Sequence, residues 1–441
     1  MMDLIVKNGR IIDPSINRDE IADLYVVGGR ISAQPPEGPC ETIEASNLVV
    51  APGLIDIHVH LREPGQSHKE TVETGTQAAA AGGFSSIVCM PNTDPPADSA
   101  STITWITDRV RECALVNVFP TGAITRGLQG EEMAPIGSMV QAGIVAITDD
   151  GHCVQNHEVM RRAVEYAQMF DLAVMDHCQD YNMVGSGVMH EGYWSTVLGL
   201  AGWPRIGEEI IVARNILLSE LCGTRIHCQH LSSGGSVRLL RDARARGVPV
   251  TGELCPHHIA LTDEFVSSFD TNYKMNPPLR ARQDVEALIE GVADGTITLL
   301  GSDHAPHAFF EKEVEFDRAP FGILGLETEL ALFLTILVHR TKAIDLTRLI
   351  TMYTVNPANL VRLPKGTLGP GADADITIID LDLEWTFQKQ DSFSRSRNTP
   401  FDGWALKGRA VRTIVGGKTV WKAGETDQPA GVSADRTGEP V

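Results

Sequence analysis

Short apolar runs of strand length recur along the chain at 54–61, 85–92, 116–123, 144–151, 172–178, 226–232, 248–257 and 298–306. Between them the apolar positions switch to helical spacing, as in ETVETGTQAAAAGG after the first run and SVRLLRDARARG after the sixth. Eight strands alternating with helices predict an α/β fold, a (β/α)8 TIM-type barrel over residues 51–363. An open doubly wound sheet is the competing arrangement, but the count and the lack of a GxGxxG turn after an early strand disfavour it.

The two ends of the chain have a different pattern. Residues 1–50 read as short strands with turns (LIVKNGRIID, DLYVVGGRIS), and the style returns in ADITIIDLD and VRTIVGGKTV. Chain termini commonly lie close together, so 1–50 and 364–425 are expected to build one small β-sandwich domain beside the barrel. The polar segment 426–441 is expected to be a loosely ordered C-terminal tail.

Composition narrows the function. The 441 residues are 43% hydrophobic, and 37 basic against 57 acidic residues give a net charge of -20. Without a basic stripe, such a surface repels nucleic acid and anionic membranes, while a single arginine can still hold a small anion. No apolar stretch reaches the roughly 18 residues of a membrane helix, and no signal-peptide pattern opens the chain, so a soluble cytoplasmic protein is expected. The eight cysteines are scattered singly, which points to reduced thiols.

Polar residues fall where a barrel of this kind places its chemistry, at the C-terminal ends of the strands. His58 and His60 close strand 1, Asp149 and Asp150 strand 4, His177 strand 5, His230 strand 6 and Asp303 strand 8. Residues i and i+2 of a strand share a face, so His58 and His60 can reach one ion. Any one of these histidines alone is more often a core or surface residue. Together, four imidazoles and two carboxylates at one barrel mouth are the donors that hold zinc. Alternation makes Asp150 the inward member of its pair. Cys228 shares the face of His230 but sits about 6–7 Å further down the strand, which suits a small core residue. Asp56 is either a partner behind the histidines or a structural carboxylate.

An ordered series of motifs carries a resemblance: DIHVHLREPG, CMPNTDP, TDDG, DHCQD, HLSS, CPHH, NYKMNPPLR, SDHAPH and PFGILGLET. On these segments the chain resembles the amidohydrolase superfamily and, within it, bacterial dihydroorotases of the long, type I class. Hydantoinases and dihydropyrimidinases usually carry a carboxylated lysine at the end of strand 4; here the resemblance makes Asp150 its substitute. It implies a metal set of His58, His60, Asp150, His177, His230 and Asp303 holding one or two zinc ions. The implied reaction is reversible closure of N-carbamoyl-L-aspartate to L-dihydroorotate, a step of pyrimidine synthesis. Zinc supplies a nucleophile by lowering the pKa of bound water from about 15.7 to near 7, and Asp303 serves as general acid and base. Arg62, Asn92 and His307 are implied to grip the substrate carboxylate, with His60 beside them; Asn276 and backbone groups near Phe321 and Gly322 would contact the ring.

Two alternatives stay open: a hydantoinase- or allantoinase-type cyclic amidase, and a non-catalytic scaffold for aspartate transcarbamoylase. Such a partnership is also compatible with catalysis, and a homo-oligomer is expected. The charged segment 305–319, bounded by Pro306 and Pro320, is expected to be a long loop and a lid. Gln179 and Ser233 depart from the family pattern and are expected to touch no ligand. His152, His157, His190, His257, His258 and His304 are expected to be mostly structural, surface or supporting residues.

Overall fold

The computed structural model describes residues 2–424, and the tail expected at 426–441 lies outside the described residues. The chain opens with β1 (Asp3–Asp13), β2 (Arg18–Val27), β3 (Arg30–Ser32), β4 (Cys40–Glu44) and β5 (Val49–Pro52). β1 pairs with β4 over its first half and with β5 at Arg10 and Ile11, and its register against β2 slips between Val6 and Gly9. At the other end of the chain β16 (Ile376–Thr386), β17 (Ala405–Val415) and β18 (Lys418–Lys422) return to the same sheet, with β16 antiparallel to β5. One mixed sheet of eight strands is therefore built from both termini. Leu4, Val6, Leu24, Val50, Ile376, Ile378 and Ile414 form its own buried cluster.

Between these ends run the barrel strands β6 (Leu54–Val59), β7 (Phe84–Cys89), β8 (Asn117–Pro120), β9 (Ala146–Ile147) and β10 (Ala173–Asp176). After a small parallel pair, β11 (Met189–His190) and β12 (Gly202–Trp203), the barrel continues with β13 (Ile226–Cys228), β14 (Val250–Leu254) and β15 (Leu299–Leu300). They form two parallel arcs, β6-β7-β8 and β9-β10-β13-β14-β15. Parallel bridges Gly122–Ile147 and Val59–His304 join the arcs into a ring, the second reinforced by the His60 N–H donating to the His304 carbonyl at 2.9 Å. All eight apolar runs contribute a strand, but the paired ladders are shorter than the runs. In the fourth run only Ala146 and Ile147 are paired within the sheet, because the chain then leaves for the mouth.

Local chemistry explains how helices pack on this ring. The helix Val72–Gly82 starts at Thr71, whose hydroxyl accepts from the Thr74 N–H while Thr74 accepts from the Thr71 N–H. It ends at Gly83, whose φ of 97° suits glycine, and its alanine face lets it lie close to the strands. Inside the ring Ile55, Ile57, Val88, Met90 and Met175 pack on Ala358 and Leu360 of the helix Val355–Leu360, which plugs the base. Burying a large aliphatic side chain stabilises by roughly 1.5–3 kcal/mol, so the filled base holds the strands while the mouth carries polar groups.

The segment 305–319 is more structured than a long loop. It contains the helical turn Phe309–Lys312, and Lys312 is buried, donating to the carbonyls of Thr271, Lys274 and Pro320. Phe309 and Phe310 face outward. No helix among the described residues is long and apolar enough to cross a membrane.

Candidate active site

At the open end of the ring the Asp150 carboxylate lies among four imidazoles. It is 3.2 Å from His58 Nε2, 3.3 Å from His60 Nε2, 3.5 Å from His177 Nδ1 and 3.8 Å from His230 Nε2. Asp303 approaches from β15, 3.2 Å from His60 Nε2 and 3.5 Å from His58 Nε2. His177 Nδ1 and His230 Nε2 are 2.8 Å apart. Asp149 points elsewhere: its carboxylate accepts from the N–H groups of Ile124 and Thr125 and the Thr125 hydroxyl.

Backbone geometry aims these side chains. Asp303, His230 and Arg62 adopt positive φ (47°, 31° and 61°), a strained region for residues with a Cβ that is often found at functional sites. Within β6 the pairing with β7 slips between Asp56 and Val59. Asp56 accepts from the N–H groups of His58 and Ser302, so it braces the motif through backbone and not through an imidazole.

The far nitrogens of three of the four rings are held so that the near ones face the cluster, while His230 Nδ1 is buried without a partner among the described residues. His58 Nδ1 meets Glu253 Oε1 at 2.5 Å, His60 Nδ1 donates to Asn92 Oδ1 at 2.8 Å, and His177 Nε2 donates to Gln179 Oε1 at 2.9 Å. Such outer partners fix the tautomer that leaves a lone pair for a metal. Gln179 therefore does touch a candidate ligand, contrary to the expectation from sequence, and Ser233 instead caps the helix Gly234–Ala245. Burial works against the charge on Asp150 and Asp303, yet the neighbouring His58, when its ring carries a proton in place of a cation, holds both carboxyls below the usual range. Burial together with His177 and His58 pushes His230 down to about 3, leaving it neutral. Asp150 Oδ1 is buried without a hydrogen-bond donor among the described residues, which fits a group meant for a cation.

Residues 47–236 match a family model described as dihydro-orotase-like, and residues 230–421 match an amidohydrolase family model. The chain is 52% identical over 425 residues to the dihydroorotase of Pelotomaculum thermopropionicum, covering 95% of this chain and 98% of that one. It is 49% identical over 423 residues to the dihydroorotase of Solibacter usitatus, with 95% and 98% covered. This chain belongs to the dihydroorotase family. Among solved structures, L-hydantoinase (dihydropyrimidinase) from Arthrobacter aurescens superposes with a TM-score of 0.88 at 26% identity, covering 97% of this chain and 98% of its own. Dihydropyrimidinase from Brevibacillus agri NCHU1002 shares the fold, with a TM-score of 0.84 at 23% identity and 96% and 95% covered.

In this dihydroorotase-family chain a cavity of about 330 Å³ opens beside the cluster, lined by His60, Arg62, Asn92, Asn276, His307, Phe321 and Gly322 as well as the metal-type donors. Arg62 is buried, tied by Nε to the Pro306 carbonyl at 3.2 Å; burial lowers its pKa to about 10, so it stays cationic at neutral pH. It is not paired with Glu63, which accepts from the Val72 N–H and faces Arg109. Asn276 donates to Gln179 at 3.0 Å, while its Oδ1 is buried and unpartnered among the described residues. His307 Nε2 donates to the Phe321 carbonyl at 2.8 Å. Both polar groups of Gly322 are engaged, its N–H by Lys274 and its carbonyl by Asn398.

Sequence reasoning missed Glu253. Besides His58, this carboxylate accepts from the His230 N–H at 3.0 Å and lies 3.0 Å from His227 Nε2. The available signal was a carboxylate inside the strand-length run that becomes β14.

Proposed function

We infer that this chain is a metal-dependent dihydroorotase that interconverts N-carbamoyl-L-aspartate and L-dihydroorotate. The observation that carries the reading is the Asp150 carboxylate set among four imidazoles beside a cavity holding the Arg62 guanidinium. The resident metal is proposed to be zinc. His58, His60, Asp150 and Asp303 would hold one ion, and Asp150, His177 and His230 a second. Bound there, zinc would lower the pKa of a water to near 7 and polarise the attacked carbonyl.

The side chains supply the rest of the reaction. Asp303 takes a proton from the attacking water and passes it to the departing ring nitrogen; ring closure runs the same transfers backwards. Arg62 holds the substrate carboxylate through its guanidinium, with Asn92 and His307 beside it. The unpartnered Oδ1 of Asn276 suits a ring N–H, and Phe321 closes the wall behind it. Segment 305–319 is proposed to act as the lid over this cavity.

The same reading treats 1–50 and 364–425 as a domain distinct from the 51–363 barrel, and places the enzyme in the cytoplasm as a homo-oligomer able to partner aspartate transcarbamoylase. Turnover of both substrates by the zinc-loaded protein tests the activity. Asp303→Ala should lower the rate in each direction by about 10²–10⁴-fold. Hydrolysis of dihydrouracil or hydantoin, with none of L-dihydroorotate, would establish the other cyclic-amidase reading instead.

A further inference from the structure

Beyond the Asp150 cluster, a second group of buried donors lies where β14 ends. The chain leaves Leu254 through Cys255 and Pro256 into the short turn His257–Ala260, with the His258 N–H donating to the Cys255 carbonyl at 3.1 Å. That turn folds three side chains together: donor atoms of Cys255, His257 and His258 all lie within 4.8 Å of one another. All three residues are buried, at 0%, 0% and 1% exposure.

The hydrogen bonds around them are incomplete in an informative way. His258 Nε2 must donate to the Pro277 carbonyl at 3.0 Å, which leaves Nδ1 as a lone pair with no donor among the described residues. A ring nitrogen donating to a carbonyl while the other is free is the arrangement that orients a metal-bound histidine. Neither nitrogen of His257 has a partner among the described residues. Burial and the neighbouring His258 push His257 well below its ordinary pKa, so it is a neutral donor. Burial together with the Glu253 charge keeps the Cys255 thiol protonated in the absence of a cation.

We propose that Cys255, His257 and His258 form a second metal site, separate from the Asp150 cluster, for a borderline or soft ion of the zinc class. One sulfur and two imidazoles select such an ion over magnesium or calcium. On binding, the Cys255 S–H bond breaks, a sulfur–metal bond forms and one proton goes to solvent. The site ties the end of β14 to the Pro277 segment. Glu253, two residues upstream, orients His58, and Asn276, one residue before Pro277, lines the cavity.

Cobalt distinguishes this site from the Asp150 cluster, whose donors include no sulfur. The full chain, stripped by a chelator, reloaded with cobalt(II) and passed through gel filtration, should show thiolate-to-cobalt charge-transfer absorption in the near ultraviolet. Cys255→Ser should abolish that band and lower bound cobalt by one ion per chain while keeping the ions of the Asp150 cluster. A reloaded wild-type chain without the band, or a band that survives Cys255→Ser, overturns the proposal. If the variant fails to fold, anomalous scattering at the zinc edge from wild-type crystals decides: a peak among Cys255, His257 and His258 supports the site, and peaks confined to the Asp150 cluster reject it.

Discussion

The sheet built from the two termini and the mouth of the barrel handle charge in opposite ways. In the sheet, Arg10 and Asp19 meet at 2.8 Å with side chains 47% and 41% exposed, one cation to one carboxylate in water. At the mouth, Asp150 faces four buried imidazoles and shares two of them with Asp303. Solvent already stabilises the first kind of charge, so the pair adds little. The second kind has lost its water and is costly unless a cation or a substrate completes it. Crowded buried donors therefore mark a place for binding, and exposed pairs mark a surface.

The steepest way to sharpen this contrast is at Glu253. Glu253→Gln keeps the shape but turns one of two accepting oxygens into a donor facing His58 or His227, and metal affinity should fall by about 10–100-fold in a chelator competition. At Arg62, Arg62→Lys keeps the charge and loses the planar fork, so KM should rise about tenfold or more with kcat far less affected, as steady-state kinetics would show.

A smaller effect is expected at Lys312, whose ammonium is buried against three carbonyls. Burial and the charge of Lys274 lower its pKa from 10.5 to about 7. The unfolded chain then binds the extra proton between those values, so this group's contribution to stability rises as pH increases from about 7 towards 10.5. Denaturant melts over that range should show the slope in the wild type and a flatter one in Lys312→Met, and a slope unchanged by the substitution would remove Lys312 as its source. Smallest of all should be Arg10→Ala in the terminal sheet, with less than about 1 kcal/mol lost in unfolding and no change in turnover.

Much of this was legible because barrels place chemistry at strand ends. The period-two and helical patterns expose the alternating strands, and the motif residues at their ends line one cavity. What was not legible depends on contacts between distant segments. Glu253 sits in a strand whose sequence alone does not say that His58, His227 and the His230 N–H converge on it. Gln179 gave no sign of its role, because the sequence does not show that its side chain folds back onto His177 Nε2. The charge-rich composition of 305–319 concealed a lysine held wholly by backbone carbonyls, a burial that needs Thr271 and Pro320 nearby. The positive φ of Arg62, His230 and Asp303 breaks strand alternation at the residues where it mattered most.

The ring itself is stitched from two arcs by only a few bonds at the Val59–His304 and Gly122–Ile147 bridges. His58 and His60 extend from one arc, while Asp150, His177, His230 and Asp303 extend from the other. A cation held by both groups would be a clasp across the seam as well as a reagent. If it bound only with the arcs in register, its binding energy would add to folding, by about 4 kcal/mol at a thousandfold excess over the dissociation constant. Barrel integrity and readiness for catalysis would then be gained and lost together.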